Sequence, residues 1–262
     1  MFRKFGLAAL LFLATSGLKV TRADFLGTMI GGHADIGVAF DGTGLDPHIH
    51  KHDGEDLRLF GGGLISGEQE FAPADLWIGV PNSARLARPA GSQWDFLGNS
   101  AGQDLWVLLP TESPDRPFIG FAAEELVGFS DVTITIQGIT GRSGSNASTF
   151  SVFKTNNDQT LVTSWASSTG VNSSERQFTV PVGGHDHWFM AFTGEGVFDV
   201  SLNFAATDLS DSTAYNSTTT FTFAVGDSNF SAVPEPTSMA LLACCGTVMI
   251  GVRKWRKNSK AA

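Results

Sequence analysis

Cysteine is nearly absent from this chain of 262 residues, which has only Cys244 and Cys245. Both lie in an apolar run near the C-terminus, so the rest of the chain has no thiol to form a disulfide or to act as a nucleophile. The stability of that part must therefore come from a hydrophobic core. About 200 residues are enough for one substantial domain or two small ones.

The short motifs of several enzyme classes are also missing. The sequence has no G-x-S-x-G nucleophile turn, no H-E-x-x-H zinc motif and no phosphate-binding loop. Paired carboxylates such as Glu124 and Glu125 occur, but sequence spacing does not identify a glycosidase pair. A solvated acidic surface accounts for most of them. We therefore predict a binding or structural protein rather than an enzyme.

The N-terminal residues have the pattern of a secretory signal peptide. Arg3 and Lys4 precede an apolar run over residues 5–13, small residues follow, and Ala23 ends an acceptable cleavage site. The apolar run is too short to span a membrane, so we predict that residues 1–23 are a signal peptide. An uncleaved anchor is the alternative.

The C-terminal residues contain a second targeting pattern. Pro234, Glu235 and Pro236 precede an apolar stretch over residues 237–252, which is barely long enough to cross a bilayer, and a basic tail over residues 253–262. This order resembles the PEP-CTERM sorting signal of Gram-negative bacteria. The resemblance implies recognition by an exosortase-type enzyme, removal of the tail and delivery to the cell envelope, the cell surface or the extracellular matrix. Before processing, residues 237–252 would be a transmembrane helix with a cytoplasmic basic tail.

The charge between these two signals is strongly negative. Of the 17 basic residues, four precede Asp24 and five follow Gly251, which leaves eight against 26 acidic residues and a formal charge of −18. Such a body repels nucleic acid and anionic lipid, so we predict no nucleic-acid partner. It is suited to attract cations, although solubility alone would also explain the charge.

Alternation of apolar and polar residues predicts an all-β body over residues 24–226. The period of two that marks a half-buried strand is clearest in the second half of the chain. The expected strands cover residues 34–40, 56–63, 74–80, 104–110, 117–123, 131–139, 148–155, 159–167, 176–182, 197–206 and 218–226. Only residues 122–129 look briefly helical. Short strands and glycine-rich breaks favour a β-sandwich or a jelly roll, followed by a linker over residues 227–236.

Histidine is scarce, and its placement suggests a metal site. Five of the six histidines stand in two H-x-H arrangements, "HIHKH" from His48 and "HDH" from His185, and the sixth is His33. Side chains two apart on a strand share a face, and imidazoles are good ligands for zinc and related divalent metals. The predicted metal ligands are His33, Asp35, His48, His50, His185 and His187. Asp53, Glu55 and Asp186 are further candidate oxygen ligands, and solvated loop histidines are the alternative.

The second H-x-H lies in a stretch that resembles the choice-of-anchor M domain, a bacterial surface-protein module. His185, His187, Phe192, Thr193 and Gly196 match that family's pattern, and His33 and Asp35 resemble its opening H-x-D strand. The family's tryptophan and tyrosine are replaced by Met190 and Phe198. The resemblance implies an exported β-rich domain carried by varied anchors, and some members of the family are encoded beside metal-uptake systems.

These observations lead to ranked hypotheses about function. The first is an exported binding or structural module that binds a divalent metal. In this hypothesis His185 and His187 approach His33, or His48 and His50, around one shared ion; if only His33 approaches, Asp35 is the fourth ligand. The second is a protein that binds matrix polysaccharide through exposed tryptophans, among which Trp188 adjoins the histidines. The third is an extracellular hydrolase.

The sorting signal makes a prediction about the mature protein. Because the tail matches a signal that is removed, we expect the mature protein to lack residues 237–262. Intact-mass measurement of the native protein from an exosortase-bearing host tests this. Detection of a peptide from residues 253–262 in the mature surface form would contradict it.

Overall fold

The computed structural model describes residues 25–54, 56–158 and 160–231. The predicted signal peptide, the Pro234–Glu235–Pro236 tripeptide, the predicted transmembrane helix and the basic tail all lie outside the described residues. Within residues 25–231, no helix has the length and apolar character needed to cross a membrane.

The described part of the chain is all-β, as the alternating sequence predicts, with 17 strands and four short 3-10 helices. The strands are β1 Gly27–Phe40, β2 Leu45–Lys51, β3 Leu57–Leu59, β4 Leu64–Ile65, β5 Gln69–Phe71, β6 Leu76–Val80, β7 Arg85–Ala87, β8 Asp104–Leu108, β9 Pro117–Ala122, β10 Val132–Gly141, β11 Phe150–Thr155, β12 Val162–Ser167, β13 Gln177–Val180, β14 His185–Asp186, β15 Phe189–Phe192, β16 Gly196–Thr207 and β17 Ala214–Val225. The 3-10 helices are Asn82–Ala84, Ser92–Leu97, Ser173–Glu175 and Asp227–Asn229. Residues 122–129, which looked helical, form instead the end of β9 and a turn that carries Glu124 and Glu125.

The strands form two sheets. The main path of the larger sheet runs β13-β10-β16-β17-β6-β1-β2-β5, and the smaller sheet runs β12-β11-β15-β8-β7. The largest hydrophobic cluster takes residues from both sheets, including the side chains of Phe150, Phe192 and Phe223, whose ring centroids lie 5.0–5.6 Å apart. Along β16, buried and half-buried residues alternate without a break. The apolar face that the sequence predicts is therefore the face that packs between the sheets.

Strand β1 changes its partners halfway along its length. Its first residues pair in parallel with β6 and antiparallel with β3, whereas residues from Gly32 onward pair in parallel with β9 and antiparallel with β2. The register with β3 shifts between Met29 and Gly31, and pairing with β9 begins at Gly32. Gly32 has φ +88, and a side chain there would overlap the main-chain oxygen of Asp56, so only glycine fits. This irregularity sets the direction of the strand that carries His33 and Asp35.

The segment after β17 stays in contact with the body. Asp227 accepts a hydrogen bond from the main chain of Asn82, and the main-chain NH of Thr28 donates to the carbonyl oxygen of Ser231. The rings of Phe60 and Phe230 also meet, with centroids 5.7 Å apart. Residues 227–231, predicted as the start of a linker, are therefore held against the first strand of the domain.

Candidate metal centre

All six histidines of the chain lie together on one face of the larger sheet. Strand pairing explains how they meet, because residues opposite one another on neighbouring strands share a face. Asp35 on β1 lies between His50 on β2 and Gly120 on β9. In the neighbouring row, Gly37 on β1 lies between His48 on β2 and Ala122 on β9, and Ala122 in turn lies beside His185 on β14. His33 and His52 extend the same face by one step. Three separate segments thus contribute to one group of imidazoles, which we call the histidine face.

Two glycines form the floor of the histidine face. A methyl group added at Gly37 would come within 3.0 Å of His48 Nε2. One added at Gly120 would overlap the carboxylate of Asp35 and approach His187 Nδ1 to 3.0 Å. The space above the sheet at these two positions is therefore available only because no side chain occupies it.

Asp35 is the centre of the first group of polar atoms. Its side chain has no exposed surface, and its two oxygens face different histidines: His52 Nε2 lies 2.9 Å from Oδ2 and His33 Nε2 lies 3.4 Å from Oδ1. Burial raises the pKa of this carboxyl, but interaction with the side chains of His33 and His52 and the positive potential of His187 outweigh it and lower the pKa to about 2. Asp35 is therefore a carboxylate at any physiological pH.

His187 borders the same group from the far side of Gly120. Its ring centroid lies 5.2 Å from that of His33, and it stacks almost parallel on Phe118 at 3.9 Å, which fixes the ring plane. Burial lowers the pKa of His187, so the imidazole is neutral and has a free lone pair at neutral pH. His187 is thus prepared to bind a metal.

His185 differs from its neighbour in both contact and charge. Its side chain is 42% exposed, and its Nδ1 atom lies 2.6 Å from Glu124 Oε1. The hydrogen bond with Glu124 raises the pKa of His185, which favours the protonated ring. Its exposure and its contact with Glu124 place His185 at the rim of the site.

A second group of possible ligands lies beside the first. His48 Nε2 and His50 Nδ1 both face Glu125 Oε1, at 3.1 and 2.8 Å. Both imidazoles are almost fully buried, whereas Glu125 lies at the exposed edge. His50 and His52 stack with centroids 4.6 Å apart, so the two groups are in direct contact.

Several buried polar atoms of the histidine face have no hydrogen-bond partner. Among the described residues, eight buried side-chain nitrogen or oxygen atoms are unpartnered, and four of the eight are His33 Nε2, Asp35 Oδ1, His50 Nε2 and His187 Nδ1. Buried polar atoms are nearly always paired, because leaving one unpaired costs about 1–3 kcal/mol. Their concentration at one place indicates a site that a ligand completes.

The first group has the dimensions of a zinc site. One ligand atom from each of His33, Asp35 and His52 can be chosen so that all three lie within 4.8 Å of one another. Zinc bonds of about 2.0–2.1 Å in a tetrahedron place ligand atoms roughly 3.3–3.4 Å apart, which matches the 3.4 Å between His33 Nε2 and Asp35 Oδ1. Two imidazoles and a carboxylate leave a fourth position, and His187 is the nearest further imidazole on that side.

The sequence predicted most of these residues but misjudged some of their roles. His33, Asp35, His48, His50, His185 and His187 all lie on the histidine face. The ligand atoms within 4.8 Å of one another fall into two groups, His33–Asp35–His52 and His48–His50–Glu125, and neither group includes His185 or His187. His52 was left out of the predicted ligands although the period of two in "HIHKH" places it on the same face. Glu124 and Glu125 were interpreted as solvated acids, and nothing in their local sequence showed that their turn faces the histidines.

Other predicted contributors lie elsewhere. Asp186 points away from the histidine face and pairs with Lys154. Asp53 is exposed and bonds the main chain of Gly54, and Glu55 lies outside the described residues. Trp188 is only 4% exposed and packs against Phe178 in the core, so it offers no surface to a sugar.

Comparison with family models, with curated proteins and with solved structures found no match to this chain. The functional argument therefore depends on the geometry of the site and on the sequence patterns.

The glycine floor makes a direct prediction. We expect Gly120→Ala to lower zinc affinity by about 10- to 100-fold, the range seen when residues that support a metal site are changed. The added methyl group would displace the Asp35 carboxylate and crowd His187. Gly44→Ala is the matched control, because a methyl group at Gly44 meets nothing within 4 Å. Competition with a chelating dye measures the affinity, and equal values for the two variants would contradict the prediction.

Proposed function

We propose that this protein is an exported surface module that binds a divalent cation, with zinc the best fit, through His33, Asp35, His52 and His187. The observation that carries the proposal is the fully buried Asp35 carboxylate, which faces imidazoles on both sides while its Oδ1 atom lacks a hydrogen-bond partner. A carboxylate flanked by imidazoles is a common ligand set for zinc.

The electrostatics support a cation in this position. Asp35 is ionised, His187 is neutral, and Glu124 adds negative charge at the rim, 3.8 Å from His52 Nε2. A divalent ion would satisfy Asp35 Oδ1, His33 Nε2 and His187 Nδ1 together, because it accepts lone pairs from all three atoms. A proton can join only two of them at a time.

The sequence patterns supply the proposed location. The signal peptide over residues 1–23 and the PEP-CTERM-like tail support export followed by delivery to the envelope or the extracellular matrix by an exosortase-type enzyme. Within that proposal, the two packed sheets correspond to a β-sandwich or jelly-roll module of the choice-of-anchor M type. Its role would be to bind a metal at the cell surface.

A comparison of two neighbouring histidines tests the metal proposal. We expect the purified wild-type protein to retain zinc after dialysis and His33→Ala or His187→Ala to lose it from the first group, because each removes a buried lone pair that faces Asp35. His185→Ala is the matched control, since that ring is exposed and held by Glu124, and it should retain wild-type zinc at this position. Elemental analysis of each variant gives the result. Absence of zinc from the loaded wild type, or equal zinc in all three variants, would overturn the proposal.

Binding to polysaccharide is a second candidate function, and one tryptophan favours it. Trp165 is half-buried and lines an open cleft of about 330 Å³ together with Gln93, Asp95 and Glu175. One side of its indole stacks on Phe96, with centroids 4.9 Å apart. An aromatic wall beside carboxylate and amide groups suits a sugar ring. Trp94, Trp106 and Trp188 are buried and do not offer such a wall.

Retention on the polysaccharide of the exporting cell tests this second function. We expect Trp165→Ala to abolish retention and Trp77→Ala to leave it unchanged, because the Trp77 ring is covered by Phe25 and by the guanidinium of Arg142. A wild-type protein that passes through the polysaccharide column unretained rules this function out.

A further inference from the structure

We propose that the histidine face holds two cations, the second bound by His48, His50 and Glu125. The inference deepens the proposed function, since both ions would lie on the same face, but it depends on separate residues. His48 Nε2, a nitrogen of His50 and an oxygen of Glu125 lie within 4.8 Å of one another. Two imidazoles and one carboxylate leave a fourth position for water or for an anion carried by a partner.

The contacts of His48 leave one ring nitrogen facing a carboxylate, an arrangement that a cation would stabilise. Its Nδ1 atom lies 2.9 Å from the main-chain oxygen of Asp46, which can only accept, so Nδ1 carries the proton. When only Nδ1 is protonated, the Nε2 atom has an unshared lone pair, and this atom lies 3.1 Å from the Glu125 carboxylate. Two lone pairs repel unless a positive species lies between or beside them. A metal ion bound to both atoms removes this repulsion.

The main-chain contact of His48 also has the form found at metal centres. Histidines that bind metals almost always donate the other ring NH to a carbonyl or carboxylate, which fixes the tautomer and the ring orientation. The bond from His48 Nδ1 to Asp46 does this within β2 itself. His50 offers a further free atom, since its Nε2 is buried without a partner and lies 3.4 Å from Glu68.

The second group of ligands, like the first, lies above a glycine of the sheet. Gly37 lies beside His48 as Gly120 lies beside Asp35 and His187, and a methyl group at Gly37 would come within 3.0 Å of His48 Nε2. Both glycines occur at positions where the strand pattern would otherwise place a side chain on the histidine face. Each group of ligands therefore has its own open space above the sheet.

The carboxylates of the histidine face can offset the positive charge of more than one cation. Within the described residues, four carboxylates contact the histidines: Asp35, Glu68, Glu124 and Glu125. Asp35 belongs to the first group of ligands and Glu125 to the second, so each group has a negative charge of its own. Paired metal ions about 3.5–4 Å apart occur in proteins where carboxylates offset their repulsion.

Zinc stoichiometry tests the inference. Purified full-length protein is stripped with a chelator, dialysed against excess zinc and analysed for zinc per chain. We expect two zinc ions in the wild type, one in Glu125→Gln, one in Asp35→Asn and none in the double variant. Glu195→Gln, which changes a glutamate away from the histidine face, should keep two. His48→Gln is the second variant for the same group, and circular dichroism verifies that each protein is folded.

The outcomes separate the two proposals. One ion in the wild type that Asp35→Asn removes and Glu125→Gln leaves in place would overturn the second site and keep the proposed function. Loss of one ion in Glu125→Gln with no loss in Asp35→Asn would keep the second site and overturn the first. Equal zinc in all variants would overturn both.

Discussion

The buried negative charge of Asp35 is the constraint on which the histidine face depends. An ionised carboxylate without solvent contact is stable only when positive or hydrogen-bonding groups surround it. Neighbouring strands supply those groups: His33 from β1 itself, His52 from the end of β2 and His187 from the segment after β14. The low pKa of Asp35 shows that these contacts outweigh its burial. Displacing any one of the three segments would leave the charge without part of its compensation.

This constraint explains why small residues occur where the pattern of a strand favours large ones. Gly120 lies beside Asp35, and a bulky residue there would fill the space that the imidazoles share. Two of the three histidine segments also follow a glycine pair, Gly31–Gly32 before His33 and Gly183–Gly184 before His185, whereas the segment from His48 does not. Gly32 and Gly183 both have positive φ. These pairs turn the chain so that the next histidine points onto the face, and the main chain of Gly183 bonds Ala123, next to the glutamate turn.

Much of the fold was predictable because its signal is local. The alternation along β10 and β16 follows directly from one buried face. It gave β10 to β13, β16 and β17 with errors at their ends, whereas β14 and β15 were not predicted. The candidate site was predictable only in part. The H-x-D and H-x-H spacings placed side chains on a common face of each strand, which identified six of the converging residues.

The remainder depends on long-range pairing that no local pattern encodes. Parallel pairing of β1 with β9 brings Gly120 beside Asp35, and β9 then leads into the turn that holds Glu124 and Glu125. The burial of Trp188 was not predicted. Alternation continued one residue beyond His187 places the Trp188 side chain on the opposite face, towards the core. One shared ion stays a prediction. His48 and His50 on β2 and His52 just after it follow one another along the same face, and the ligand atoms of His52 fall in one group while those of His48 and His50 fall in the other.

The close approach of Thr28 and Ser231 has a consequence for the order in which the chain can fold. The first strand to leave the ribosome needs β2, β6 and β9 as partners, and its beginning is completed by a hydrogen bond to a residue 203 positions later. Contacts so distant in sequence form slowly, since a long loop must close first. Until these partners have formed, the apolar residues of β1, such as Met29 and Ile36, have no cover, and uncovered strands associate with other chains. Vectorial emergence leaves the beginning of β1 incomplete until residue 231 has appeared, which makes β1 the segment that a chaperone would need to protect.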